Sequence, residues 1–330
     1  MPGRSGIGSQ PGLKPHSHLL KSDVANRPTC RAALVAALLI TASPPARAQL
    51  YESVGTRAQG MAGAFVAVSD DATTTWWNPA GLAVAPLFSG VVEHRRAWEG
   101  TGGETLGISF AIPSLGLSFY RLRIREVQPA KAIEALGAGR QDQGTAGTRP
   151  STHVLTQFGA TVGQSLGDYL VVGSTLKLIR ADQTHGDLDV GAMGKVGPVR
   201  VAVVMKHVWA PEMTADGTPV VLDRQVRVGV AYMPPLAGTV SVTTALDADL
   251  TRTATEEGEE RRLAGGIEVW LSRRVGLRGG MSASTLGNLR RSVSGGASLA
   301  LQKGLYVDAQ ATRGDDEPTR GWGLALRLTF

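Results

Sequence analysis

Hydrophobic and polar residues alternate most clearly at the C-terminal end. In "RGWGLALRLTF", Trp322, Leu324, Leu326, Leu328 and Phe330 alternate with Gly321, Gly323, Ala325, Arg327 and Thr329, and a period of two marks a strand with unlike faces. "LYVDAQAT" sets Leu305, Val307, Ala309 and Ala311 against Tyr306, Asp308, Gln310 and Thr312. In "TVSVTTALDADL", Val240, Val242, Leu246 and Leu250 oppose Ser241, Thr243, Asp247 and Asp249, and in "RLAGGIEVWL", Leu263, Ile267, Val269 and Leu271 oppose Arg262 and Glu268. The same reading along the chain predicts strands at 87–98, 103–112, 115–125, 152–164, 168–181, 188–194, 199–207, 220–232, 238–250, 262–271, 275–282, 291–301, 305–312 and 321–330.

One-sided strands suit either a water-soluble sandwich or a membrane barrel with its apolar face on lipid. The connections separate the two. Links at 113–114, 165–167, 195–198, 233–237, 272–274 and 302–304 are short, whereas those at 126–151, 208–219, 251–261, 283–290 and 313–320 are longer and polar or loop-like. Short periplasmic turns alternating with longer outer loops are the pattern of an outer-membrane barrel, and closure removes the two sheet edges that an open sheet would expose. The fold class predicted is all-β, a transmembrane antiparallel up-and-down barrel of about 14 strands. Because the links at 99–102 and 182–187 are only modestly longer and strand 188–194 is weak, twelve strands stays open. The final Phe330 resembles the C-terminal aromatic signal by which outer-membrane barrels are recognised for assembly. The barrel assembly machinery and outer-membrane lipid are therefore expected partners.

The N-terminal end carries a different pattern. Residues 31–48, "RAALVAALLITASPPARA", place a basic residue, an apolar run from Ala32 to Ala42 and a small-residue cleavage pattern at Ala46-Arg47-Ala48. This reads as a secretory signal, the run being far short of the roughly 20 residues of a spanning helix. Residues 1–48 are thus assigned to a signal peptide with an upstream extension, 49–86 to an N-terminal hatch or plug, and 87–330 to the barrel. Removing 1–48 takes away Arg4, Lys14, Lys21, Arg27, Arg31, Arg47 and Asp23, and the net charge falls from +6 to +1. A near-neutral mature chain gives no support for a nucleic-acid partner. Cys30, the one cysteine, leaves with the signal, so neither a disulfide nor a thiolate metal site is expected.

With 42 glycines in 330 residues the chain is rich in the residue that permits close backbone approach. Several fall in "RAQGMAGAFVAVSDDATTTWWNPAGLA", residues 57–83. This segment precedes the first membrane strand, so its backbone cannot face lipid and must lie in the periplasm or inside the barrel. Gly60, Ala62, Gly63 and Ala64 allow approach to a wall of small residues. Asp70 or Asp71 is expected to cap a short helical turn, and Asn78-Pro79 to start a turn that Gly81 can end.

At these residues the chain resembles the FadL long-chain fatty-acid transporter family, whose members share a glycine-methionine-glycine-rich stretch and an Asn-Pro-Ala motif, here Asn78, Pro79 and Ala80. The resemblance implies that Gly60, Met61, Gly63, Asn78 and Pro79 belong to a hatch that blocks the lumen and shifts to admit a hydrophobic small molecule. PorV-like barrels share the hatch pattern and serve protein secretion as partners, which is the alternative reading. The outer loops depart from the transporters. "TRTATEEGEE" at 251–260 is polar, and only "EVQPAKAIEALGAG" at 126–139 offers an amphipathic helix or, equally, a mobile loop.

The predicted lumen face is polar, with Lys177, Arg200, Lys206, Arg227, Asp247, Asp249, Glu268, Arg278, Asp308 and Arg327. These groups can pair with one another or with the plug, or line a polar path. Catalysis is not expected. His94, His153, His185 and His207 are widely spaced with no HExxH or comparable ligand cluster, Ser151-Thr152-His153 along a strand gives no nucleophile and base, and no phosphate loop joins a strand to a helix. No cofactor is implied.

Overall fold

The computed structural model describes residues 54–98, 103–127, 150–215, 218–235, 238–255, 258–315 and 319–330. Its strands are, in chain order, β1 (Ser89–Ala97), β2 (Glu104–Ile112), β3 (Leu115–Val127), β4 (Pro150–Leu166), β5 (Leu170–Arg180), β6 (Thr184–Val196), β7 (Val199–Lys206), β8 (Glu212–Ala215), β9 (Thr218–Val221), β10 (Gln225–Tyr232), β11 (Val240–Asp249), β12 (Thr253–Thr255), β13 (Gly258–Glu260), β14 (Arg262–Leu271), β15 (Val275–Ser284), β16 (Arg291–Gln302), β17 (Leu305–Gly314) and β18 (Gly321–Thr329). Fourteen of them form one closed antiparallel barrel in which β18 pairs with β1 from Ser89↔Thr329 to Ala97↔Gly321. The pairs β8–β9 and β12–β13 are separate hairpins, the second within the link at 251–261 and the first starting in the link at 208–219 and running on to Val221. The twelve-strand alternative is excluded. The stretch read as weak at 188–194 is a full strand, β6, in register with both β5 and β7.

Burial follows the period. Along β2 buried and exposed positions alternate from Thr105 to Ile112, and along β18 Leu324 and Leu326 are exposed while Gly323, Ala325 and Arg327 are buried. The outward set is an aliphatic and aromatic band that includes Val92, Ile108, Leu117, Phe158, Leu176, Val203, Leu246, Ile267 and Leu326. A soluble sheet would bury this face; a barrel in hydrocarbon leaves it as the lipid contact. At the turn end Phe88 and Phe330 close the β1–β18 seam. Their backbones exchange hydrogen bonds at 3.2 and 2.9 Å and their rings lie 6.4 Å apart.

Residues 54–85 pack against inward positions of strands from all round the ring. They form a helical turn at Thr56–Gly60, another at Thr74–Trp77 and a 3-10 turn at Pro79–Val84. The wall bares its backbone where this segment passes. The 3-10 turn lies against Gly163 of β4, Gly173 of β5 and Gly191 of β6, and Met61 lies against Gly266 of β14 and Gly280 of β15. A Cβ on Gly280 would stand 2.5 Å from the Met61 carbonyl carbon, and one on Gly266 would stand 2.7 Å from its oxygen. We therefore expect Gly280→Val to cost about 1–3 kcal/mol of overpacking, displacing the segment near Met61 while the barrel still assembles. Limited proteolysis of the folded variant, with cleavage faster than in wild type between residues 54 and 85, is the check.

Candidate functional site

The site is the contact between the N-terminal segment and the inner wall, held at three wall carboxylates. Glu93 on β1 accepts from the Gly55 backbone N–H at 2.9 and 3.0 Å, from the Thr56 N–H at 2.7 Å and from the Thr56 hydroxyl at 3.2 Å. Asp247 on β11 accepts from the Phe65 and Val66 N–H groups at 2.7 and 2.8 Å. Glu268 on β14 receives Arg57 through two parallel bonds of 2.8 and 2.6 Å. Two of the anchors thus satisfy backbone donors that a short irregular segment cannot pair within itself, and the third is a bidentate charged pair.

Arg57 also joins the segment to itself, reaching Asp70 at 2.5 Å and Asp71 at 3.1 Å. Burial opposes its charge, but Asp70, Glu268 and Asp71 together hold the guanidinium well above its ordinary pKa. From Glu268 the charges continue along the wall. Arg278 lies 3.4 Å from Glu268 and 3.5 Å from Asp308, and Arg327 closes on Asp308 at 2.8 and 3.2 Å. Ser298 bridges Arg278 and Asp308. On the other side, Lys206 sits 4.8 Å over the Trp76 ring, and Arg227, paired with Asp249, lies 5.9 Å from the Trp77 ring.

Each residue singled out from the sequence can now be placed. Gly60 lies against the Arg278 side chain, Met61 against β14 and β15, and Gly63 takes a left-handed φ of 78° beside Trp77. Asn78 accepts from the Ala80 N–H at 3.1 Å and donates to the Val66 carbonyl at 3.0 Å, with Pro79 opening the 3-10 turn. The capping expectation needs correcting. Asp71 accepts from the Thr73 N–H at 2.9 Å just ahead of the Thr74–Trp77 turn, whereas Asp70 caps nothing and pairs with Arg57. Gly81 does not end its turn. It sits inside the Pro79–Val84 turn, against the Ser69 carbonyl and the Thr74 hydroxyl, where a side chain has no room. Lys177, Asp247, Glu268, Asp308 and Arg327 are buried and inward; Arg200 is half-buried at the turn end of β7, opposite Lys195. The stretch 126–139 falls almost wholly outside the described residues, as does 1–48.

Two features escaped the sequence reading. Lys177, Asp187, Asp189 and His207 converge on the wall: the ammonium lies 2.7 Å from Asp187 and 2.6 Å from Asp189, and His207 Nδ1 lies 2.6 Å from Asp187. The acid and imidazole atoms lie within 4.8 Å of one another, a spacing a metal could use, so the expectation of no ligand cluster does not hold. Lys177 already supplies the positive charge at its centre.

The second feature adds an apolar arc to the lumen face predicted as polar. Above the segment, Tyr120 and Leu122 of β3, Leu155 of β4 and Ile179 of β5 point inward and cluster with Val54, Met213 and Leu222, with Trp76 packed against them. The rings of Trp76 and Tyr120 meet edge to face at 5.1 Å. On this arc the usual polarity is reversed. Leu122 faces in while Arg121 and Arg123 face out.

No protein-family model matches the sequence, and no curated protein matches it. Solved structures do match. The CymD monoaromatic hydrocarbon channel is 12% identical, with 84% of this chain and 98% of that chain covered and a TM-score of 0.55. A Pseudomonas aeruginosa FadL homologue is 10% identical, with coverage of 86% and 100% and a TM-score of 0.56. The Ralstonia pickettii toluene transporter TbuX is 13% identical, with coverage of 84% and 99% and a TM-score of 0.51. At these identities the likeness is one of fold, and the fold is that of a FadL-like outer-membrane barrel.

Proposed function

We propose that the chain passes hydrophobic or amphipathic small molecules, fatty-acid-like or aromatic, across the outer membrane, and that residues 54–85 act as a hatch closing the lumen at rest. The observation that carries the substrate class is the inward apolar cluster of Tyr120, Leu122, Leu155 and Ile179. A water-filled pore would line these positions with polar groups; large aliphatic side chains there favour an apolar solute moving along β3–β5. The structural neighbours named for hydrocarbon and toluene transport agree with this reading. With an even strand count, both termini lie on the periplasmic side and the long links face outward.

The hatch is held to the wall by polar contacts and by apolar packing in three clusters, with no disulfide. Its release therefore needs only that a competing solute or partner replace those contacts. The test is uptake by liposomes containing the purified barrel, offered fatty acids, aromatic hydrocarbons and sugars. Hydrocarbon or fatty-acid uptake without sugar uptake is the expected result. Leu122→Asn with Ile179→Asn should lower it roughly tenfold or more, since each loses about 1.5–3 kcal/mol of apolar contact. Sugar uptake equal to hydrocarbon uptake would reject the substrate class. Uptake of none of the panel would turn the assignment to the secretion-partner alternative.

A further inference from the structure

The outward face of the barrel is divided by charge. At the loop end of β16, β17, β1, β3 and β5, Arg291, Arg313, Arg96, Arg121, Arg123 and Arg180 occupy outward positions, five of them exposed and Arg123 half-buried. Register brings several together. Arg121 and Arg180 flank Thr156, Arg96 and Arg123 flank Glu104, and Arg96 pairs with Trp322. Glu104 is the one outward acid on the described strands of this arc, and two side chains surround it, the Arg123 guanidinium at 2.9 Å and the His94 imidazole at 2.9 Å. On β6, β7, β10, β11, β14 and β15, by contrast, no described outward strand position carries a charge. At this end the outward strand positions are cationic on one part of the circumference and uncharged on the other.

Depth decides what this can mean. An outward Arg costs roughly 2–4 kcal/mol at the bilayer midplane and about 0–1 near an interface, so six of them in one arc belong at headgroup level. Trp98 and Trp322 stand at the same end, as aromatic side chains do at membrane interfaces. Because both termini are at the opposite end, this headgroup level is that of the outer leaflet. Arginine, with its planar fork of donors, suits phosphate oxygens better than a solvated ammonium does.

We propose that this arc binds a phosphorylated glycolipid of the outer leaflet, its phosphates on Arg96, Arg121, Arg123 and Arg180 and its acyl chains along the apolar strand faces below. The proposal does not depend on what the lumen carries. It also accounts for the reversed polarity of β3 and β5: the same alternation that turns Leu122 and Ile179 into the lumen turns Arg121, Arg123 and Arg180 toward lipid phosphate.

Native mass spectrometry of the detergent-purified full chain tests it, with bis-phosphorylated lipid A as the probe and zwitterionic phosphatidylcholine, of zero net charge, as the comparison. Wild type should retain lipid A in preference to phosphatidylcholine. Arg121→Gln, Arg123→Gln and Arg180→Gln combined should weaken lipid A retention by about 10- to 100-fold, given the usual contribution of cations at a membrane surface. Arg273→Gln with Arg274→Gln, at the turn end, should leave it unchanged. If the triple variant loses the heat-modifiable gel shift of a folded barrel, the three single variants are scored on their folded fractions, each expected to fall severalfold. Equal retention of both lipids by wild type, or undiminished lipid A binding in the variants, would overturn the proposal. Complete displacement of lipid A by millimolar inorganic phosphate would also overturn it, by making the face a site for a soluble anion.

Discussion

Arg57→Ala is expected to release the N-terminal segment from the wall while leaving the barrel assembled. The substitution takes their shared partner from the buried Glu268 and Asp71 and the half-buried Asp70, leaving Glu268 only the longer 3.4 Å contact to Arg278, and removing one partner of such a network costs about 3–5 kcal/mol. That corresponds to roughly a 10²- to 10⁴-fold shift toward the undocked form at about 1.4 kcal/mol per factor of ten. Strand pairing is untouched, so the loss falls on docking. Hydrogen exchange reads it directly at the Phe65 and Val66 amides, which donate to Asp247. Their protection should collapse in the variant while that of the β11 and β14 amides persists. Arg57→Lys should fall between, because an ammonium keeps the charge but cannot make the two parallel bonds to Glu268. Unchanged protection in Arg57→Ala would show that the apolar packing of Phe65, Trp77 and Met61 holds the segment without the ionic hub.

Leu326→Arg should impair insertion by about 2–4 kcal/mol if Leu326 lies near the midplane. Its Cα neighbours across the sheet are Val92 and Val307, both apolar, so no nearby group can compensate the guanidinium. Arg327, one residue on, is a different case. Pointing inward, it would be a mild truncation if it faced only water, yet it is buried, paired with Asp308 and stacked 4.6 Å from the Tyr306 ring. Arg327→Ala should therefore also destabilise, and a double-mutant cycle with Asp308→Ala should show strong coupling, whereas Leu326→Arg should be additive with Asp308→Ala. Urea titration of the heat-modifiable band in lipid vesicles measures the three single and two double variants. Additivity for Arg327 and Asp308 would contradict the ion chain along β14–β18.

The strands were legible because one face of each must be apolar for lipid, and the period survives in sequence. Strand ends from β1 to β18 fall within a few residues of their predicted places, the largest difference being the start of β10, where Thr218–Val221 turns back as a hairpin instead. The segment at 57–83 was legible from its small residues and Asn78-Pro79 turn, but its partners were not. Glu93 sits in "EHRR", where charges occupy both faces in succession and no period assigns one inward. Lys177, Asp187, Asp189 and His207 come from β5, β6 and the residue after β7, and only the register of three strands brings them together. The apolar arc was hidden for a related reason. Taking polar as inward is right for β17 and β18 and wrong for the loop ends of β3 and β5, where Leu122 and Ile179 face the lumen and arginines face out.

Planar-bilayer conductance of the full-length chain against a variant lacking 57–83 tests the central claim, that this segment closes the barrel, most directly. Both must first show the heat-modifiable shift of a folded barrel. The account predicts a full-length protein that is mostly closed and a deletion variant with steady conductance, because the residues removed carry the contacts to Asp247 and Glu268 on the inner wall. A deletion barrel that folds yet conducts no more than the full-length chain would contradict it.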